Sequence, residues 1–98
     1  MVQITADQYA TIAREIREKS DAAGYFNGRF DFENSDDTIT IGFDGVVYLY
    51  YHSSLEEWGW EHSVVDAASI WTECHTTAED GEVLNDFQFK DLLPYLLD

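Results

Sequence analysis

The chain has 98 residues, 45% of them hydrophobic and 15% aromatic, enough apolar surface for one folded domain and too much for intrinsic disorder. Twenty Asp and Glu against five Lys and Arg leave a formal net charge of −15, which excludes electrostatic binding to nucleic acid or to an anionic membrane. The single cysteine, Cys74, excludes an internal disulfide, and no apolar run approaches the ~20 residues of a membrane-spanning helix.

In chain order, Thr5 and Gln8 form a capping box, in which hydroxyl and amide each satisfy an orphaned backbone donor. Tyr9, Ile12, Ala13 and Ile16 follow at helical spacing, continued by Ser20 and Ala23, and Gly24 supplies a left-handed stop. The spacing predicts a helix over 6–23. From Tyr25 the period changes to two, with Phe26, Gly28, Phe30 and Phe32 on one strand face. Asn34-Ser35-Asp36-Asp37 reads as a polar turn. Thr38 to Phe43 alternates again, and Asp44-Gly45 is a type I′ hairpin signal that would pair Phe43 with Val46, Ile41 with Tyr48 and Ile39 with Tyr50. The other face of that hairpin would carry Val47, Leu49 and Tyr51, an apolar set that something must cover.

Residues 63–75 carry two patterns. Val64, Ala67, Ala68 and Trp71 share a helical face, but the β-branched and aromatic run from Ile70 to Thr77, closed by Glu79-Asp80-Gly81, favours a strand over 69–77. Phe89, Leu92, Leu93, Leu96 and Leu97 trace a closing helix, in which Pro94 fits the first turn if Asp91 or a neighbour is the cap. The sum is a single α+β domain over 1–98: an N-terminal helix on an antiparallel meander of about four strands, with a short C-terminal helix. The opening Met1-Val2-Gln3-Ile4-Thr5 lacks the features of a secretory signal, so the expected compartment is cytoplasmic.

The charge is unevenly placed. Residues 30–89 hold fourteen carboxylates and no Lys or Arg, so most of these acids have no cation within their own stretch of chain. His52, His62, Cys74 and His75 are the soft metal ligands, but gaps of ten and twelve residues do not match a zinc site. Asp31, Glu33, Asp36 and Asp37 surround a turn without the glycine and glutamate of a calcium loop. Glu56, Glu57 and Glu61 beside Trp58 and Trp60 imitate a glycosidase pair, in a chain with little room for a cleft. No nucleophile elbow, phosphate loop or dinucleotide fingerprint is present, and no catalytic residue, metal or cofactor is expected.

What these residues favour is a non-enzymatic acidic interaction module whose partner is a basic protein. Its expected contact loop is Glu56, Glu57, Trp58, Trp60 and Glu61, because tryptophans framed by carboxylates suit a basic and partly apolar surface. In size and charge the chain is similar to nucleic-acid-mimicking inhibitors of restriction or defence enzymes, a likeness of composition alone. Two alternatives stand beside it: a small ligand-binding or regulatory domain using a pocket bordered by Val47, Leu49 and Tyr51, and an accessory protein whose acidity serves solubility or habitat.

Overall fold

A computed structural model describes the backbone of residues 1–56 and 59–97 and the side chains of 1–51 and 63–97. Helix α1 spans Ala6–Lys19, strands β1 to β4 span Tyr25–Glu33, Thr40–Glu56, Gly59–Ala78 and Gly81–Val83, and helix α2 spans Phe89–Leu96. The strands form one antiparallel sheet in the order β1-β2-β3-β4. This is the expected α+β architecture.

Both sides of the capping box form, with Gln8 N–H donating to Thr5 Oγ1 at 3.2 Å and Thr5 N–H donating to Gln8 Oε1 at 2.8 Å. The helix ends four residues short of the expected boundary. Asp21 is the reason: its Oδ1 accepts from Ala23 N–H at 2.9 Å and Tyr25 N–H at 3.0 Å, offering the backbone a turn in place of another helical one. Gly24, at φ +87°, then turns the chain into β1.

The Asp44-Gly45 hairpin does not form. Both residues lie inside β2, where Asp44 pairs with Arg29 on one side and Glu73 on the other, and Gly45 pairs with Gly28 and Thr72. The expected pairings of Phe43 with Val46 and Ile41 with Tyr48 are replaced by Phe43 with Phe30 and Ile41 with Phe32 on β1. An unbroken strand keeps Ile41, Phe43, Val47 and Leu49 on one face, and all four are buried there. Hydrogen-bond partners on both flanks outweigh the local turn preference of the dipeptide.

That face is the core. Ile12, Ala13 and Ile16 of α1 and Leu92 and Leu96 of α2 pack against Phe26, Phe30, Phe43 and Val47 in one buried cluster. Each such aliphatic or aromatic side chain contributes about 1.5–3 kcal/mol by leaving water. Val47 and Leu49 are therefore core residues beneath helices, not the border of an open pocket. Tyr9 ties the helices together, stacking on Phe87 and Tyr95 and accepting from Gln88 N–H at 3.2 Å.

α2 corrects the reading of Pro94. The helix starts after Gln88, with Asp91 in its first turn, so Pro94 sits sixth and the carbonyl of Lys90 lacks its helical donor. Lys90 and Pro94 are both exposed, where water can serve instead. One turn later Arg17 Nη1 donates to the Tyr95 carbonyl at 2.6 Å, placing a cation at the helix C-terminus.

β3 is a strand, longer than expected, and it slips register twice. Val46 pairs with Trp71 but Val47 with Ser69, and Tyr50 pairs with Asp66 but Tyr51 with Val64, so Ile70 and Val65 are the extra residues of two bulges. Strict alternation from Thr72 would send Ile70, Ala68 and Asp66 toward the helices. The first bulge turns Ser69 and Ala67 inward instead and leaves Asp66 exposed, and the second returns Val64 to the inward position it would have had without either. Beyond the β1 partner Tyr48, β2 and β3 continue as a two-stranded ribbon to the Glu56–Gly59 pair, and the molecule measures 53 Å along its longest axis.

Close approach at the first bulge makes Gly45 irreplaceable. A Cβ there would stand 2.6 Å from the Trp71 carbonyl oxygen and 3.0 Å from Thr72 Cα, both backbone atoms. At Gly42 the Cβ would meet only the mobile ends of Asp31 and Arg29. Gly45→Ala is expected to lower unfolding free energy by about 1–3 kcal/mol, and Gly42→Ala by under about 1 kcal/mol, in urea denaturation.

Candidate interaction surface

The two faces of the sheet differ in cover and in charge. α1 and α2 lie on the core face and contain four acids, Asp7, Glu15, Glu18 and Asp91, against four bases, Arg14, Arg17, Lys19 and Lys90. The helices are neutral in sum. The other sixteen acids share the rest of the chain with one base, Arg29, so the whole net charge of −15 falls on the sheet, turns and termini.

Register places Asp31 and Glu33 of β1, Asp44 of β2, Asp66 and Glu73 of β3 and Glu82 of β4 on the uncovered face. The turns extend this acidity at one end of the sheet, with Asp36 and Asp37 before β2 and Glu79 and Asp80 between β3 and β4. Of the fourteen central carboxylates, ten stand on the open face and the adjoining turns, Glu56 and Glu61 belong to the ribbon strands, and Asp86 Oδ1 accepts from Ile4 N–H at 2.7 Å.

Aromatic side chains fill the middle of the same face. Tyr25 and Tyr48 face each other across β1 and β2 with ring centroids 5.1 Å apart, and Val46 lies buried between Asn27 and Trp71 in register. Trp71 is 44% exposed and Tyr50 52% exposed, while the bulged Ile70 and Val65 are 67% and 56% exposed. These apolar side chains are left in water beside the carboxylates of the same sheet.

Of the expected contact loop, Glu57 and Trp58 lie outside the described residues, as do the side chains of Glu56, Trp60 and Glu61. Backbone pairing sets Glu56 opposite Gly59, Leu55 opposite Trp60 and Ser54 opposite Glu61 at the far end of the ribbon. Sequence reasoning missed the patch around Trp71, Tyr48 and Tyr50, because a hairpin at Asp44-Gly45 would have put these residues elsewhere. The signal was available in the unbroken odd-numbered alternation from Ile41 through Leu49.

Among the described residues Arg29 and His75 stand on the open face, and both are engaged. Arg29 Nη2 lies 3.3 Å from Asp31 Oδ1. His75 is held on both sides: Nδ1 lies 2.9 Å from Glu82 Oε1 and Nε2 lies 3.1 Å from Glu73 Oε2. A neutral imidazole has one N–H, so only the imidazolium donates to both carboxylates. The hydrogen bond to Glu82 first, and that to Glu73 second, hold the His75 pKa above its ordinary 6.5. As expected for neighbours on a strand, Cys74 points the other way, half-buried against the core, and burial pushes its thiol pKa up to about 11. Among the described residues no group of three or more His, Cys, Asp and Glu side chains is arranged to hold a metal ion. No helix among the described residues is long and apolar enough to cross a membrane.

Two consequences are measurable. The raised folded-state pKa means the His75 clasp stabilises the fold fully below pH 6.5 and stops doing so as pH rises through the raised value. The stability advantage of the native chain over His75→Gln should therefore shrink on the alkaline side of that window, and an advantage constant across it would contradict the clasp. Cys74, its thiol pushed up to about 11 by burial, should react with iodoacetamide at mildly alkaline pH at least about tenfold more slowly in the native chain than in denaturant. The chain matches no protein-family model, no curated protein and no solved structure in comparison.

Proposed function

We propose that this chain is a small non-enzymatic interaction module that presents the uncovered face of its sheet to a basic protein partner. The observation that carries the reading is the segregation of charge: neutral helices on one side, and on the other an exposed aromatic patch set among Asp44, Asp66 and Glu73. Carboxylates at this density raise the encounter rate with a positively charged surface, and the rings around Trp71 supply desolvated area and faces for Lys or Arg. Glu56, Glu57, Trp58, Trp60 and Glu61 join the proposal from composition alone, as a second acidic and aromatic segment beyond the patch. The partner is a protein rather than nucleic acid or membrane, and the proposed compartment is the cytoplasm.

The ligand-domain alternative loses its pocket, because Val47 and Leu49 are core residues. The concavity between the first turn of α1 and the β1–β2 turn is an open groove bordered by polar and charged side chains such as Gln8, Arg14, Glu33 and Asp36. An acidity serving solubility alone predicts no preferred surface, and this separates it from the proposal.

The test is a titration of the isotope-labelled chain with poly-L-lysine, followed by amide chemical shifts at about 50 and about 300 mM salt. Perturbations should concentrate on Asp44, Asp66, Trp71 and Glu73, spare α1 and α2, and weaken at least about tenfold in affinity at the higher salt. Asp44→Asn with Glu73→Gln should reduce the affinity further at low salt. Shifts spread evenly over helices and sheet would overturn the proposal.

A further inference from the structure

The clasp around His75 lies on the proposed partner surface, and its groups can be enumerated. On its own strand is Glu73, and from β4 comes Glu82. Across β2 its register partner is Gly42, flanked on the same face by Thr40 and Asp44. Over that glycine lean Arg29 and Asp31 of β1, paired with each other. The two β1 charges cancel locally, so the proton on His75 decides how Glu73 and Glu82 are occupied. With the proton present, each carboxylate accepts from one ring N–H. Without it the ring keeps a single N–H, one carboxylate loses its donor and faces a nitrogen lone pair, and the face becomes more negative by one unit.

Resting on the reading of this face as a partner surface, we propose that His75 gates its charge: protonated, it occupies Glu73 and Glu82, and deprotonated, it releases them to the cations of a basic partner. The two events are linked in both directions. A partner ammonium that takes Glu73 or Glu82 removes what holds the proton on His75, so binding expels that proton to solvent, and raising the pH favours binding. The gate works above the range where ordinary carboxylates titrate, so it adjusts the face while its Asp and Glu side chains stay ionised.

The experiment compares the native chain with His75→Gln, which is neutral at every pH and keeps the shape of a planar polar side chain. Poly-L-lysine affinity is measured at fixed salt at about pH 6 and about pH 8.5, where Asp and Glu stay ionised and the probe stays cationic. His52 and His62 are present in both proteins, so the difference between them isolates His75. Native affinity should rise roughly two- to fivefold from the lower to the higher pH, the effect of about one interacting charge, while His75→Gln should lack that rise and already bind at the higher level at pH 6. In parallel, ring nitrogen shifts should show both nitrogens of His75 protonated near neutral pH, with a titration midpoint that falls when poly-L-lysine is added.

An equal pH dependence in both proteins, or a His75 ring with the ordinary midpoint and a single N–H at neutral pH, would overturn the gate. If instead both ring nitrogens are protonated but the probe leaves no footprint on the open face, the partner surface fails and the gate with it, while the clasp stands.

Discussion

Strand β2 carries a row of buried side chains, Ile41, Phe43, Val47 and Leu49, and is paired on both flanks from Thr40 to Tyr48. A central strand in this position has no freedom of register, since a slip of one residue would exchange its buried and exposed sets. Once β2 is fixed, the helices have one face to cover, and their apolar stripes cover it. The second face is then left to water by construction. What stands on it is decided by the even-numbered residues of β2 and their neighbours: acids at one end and aromatic rings in the middle.

The same constraint explains β3. Its period-two pattern is broken by Asp66, which cannot be buried without a partner, since a desolvated carboxylate costs far more than an exposed hydrophobe. The bulge at Ile70 resolves the conflict by turning Asp66 outward, and with the bulge at Val65 it keeps Val64 in the core; the bulges leave Ile70 and Val65 exposed. They serve a second purpose. β4 pairs only with Thr76–Ala78, which leaves much of β3 as an edge open to strand addition. Bulges and acids along an edge oppose pairing with another copy, and at a net charge of −15 two copies also repel each other. An acidic edge of this kind tolerates its own uncovered backbone without lysines to guard it.

Legibility followed the range of the interactions. The capping box at Thr5 and Gln8, the strand from Tyr25 and the turn at Glu79-Asp80-Gly81 are set by contacts within a few residues, and each reads directly from residue type. Asp44-Gly45 misleads because its preference is local while its fate is decided by Arg29 and Glu73, fifteen and twenty-nine residues away in sequence. The helical look of Val64, Ala67, Ala68 and Trp71 has the same origin: each bulge adds a residue between inward positions and turns a spacing of two into three. Of the surface, the acid excess was legible and its segregation was not. Segregation depends on which elements lie on which layer, and neutral helices over a charged sheet leave no trace in a summed composition.

The form of the open face bears on the kind of partner it suits. A small molecule needs concavity, because burying most of its surface is what holds it against the entropy of binding. A sheet face with rings lying across Tyr25, Tyr48, Val46 and Trp71 offers breadth instead, and breadth rewards a macromolecule that can cover several side chains at once. Arg29 and His75 on this face are each already shared with carboxylates, so under the proposed reading they stand as internal counter-ions that a basic partner would have to displace. Arg29 keeps its charge at every physiological pH and His75 does not. For the proposed partner surface, these counter-ions are a fixed component over Gly42 and an adjustable one at its register partner.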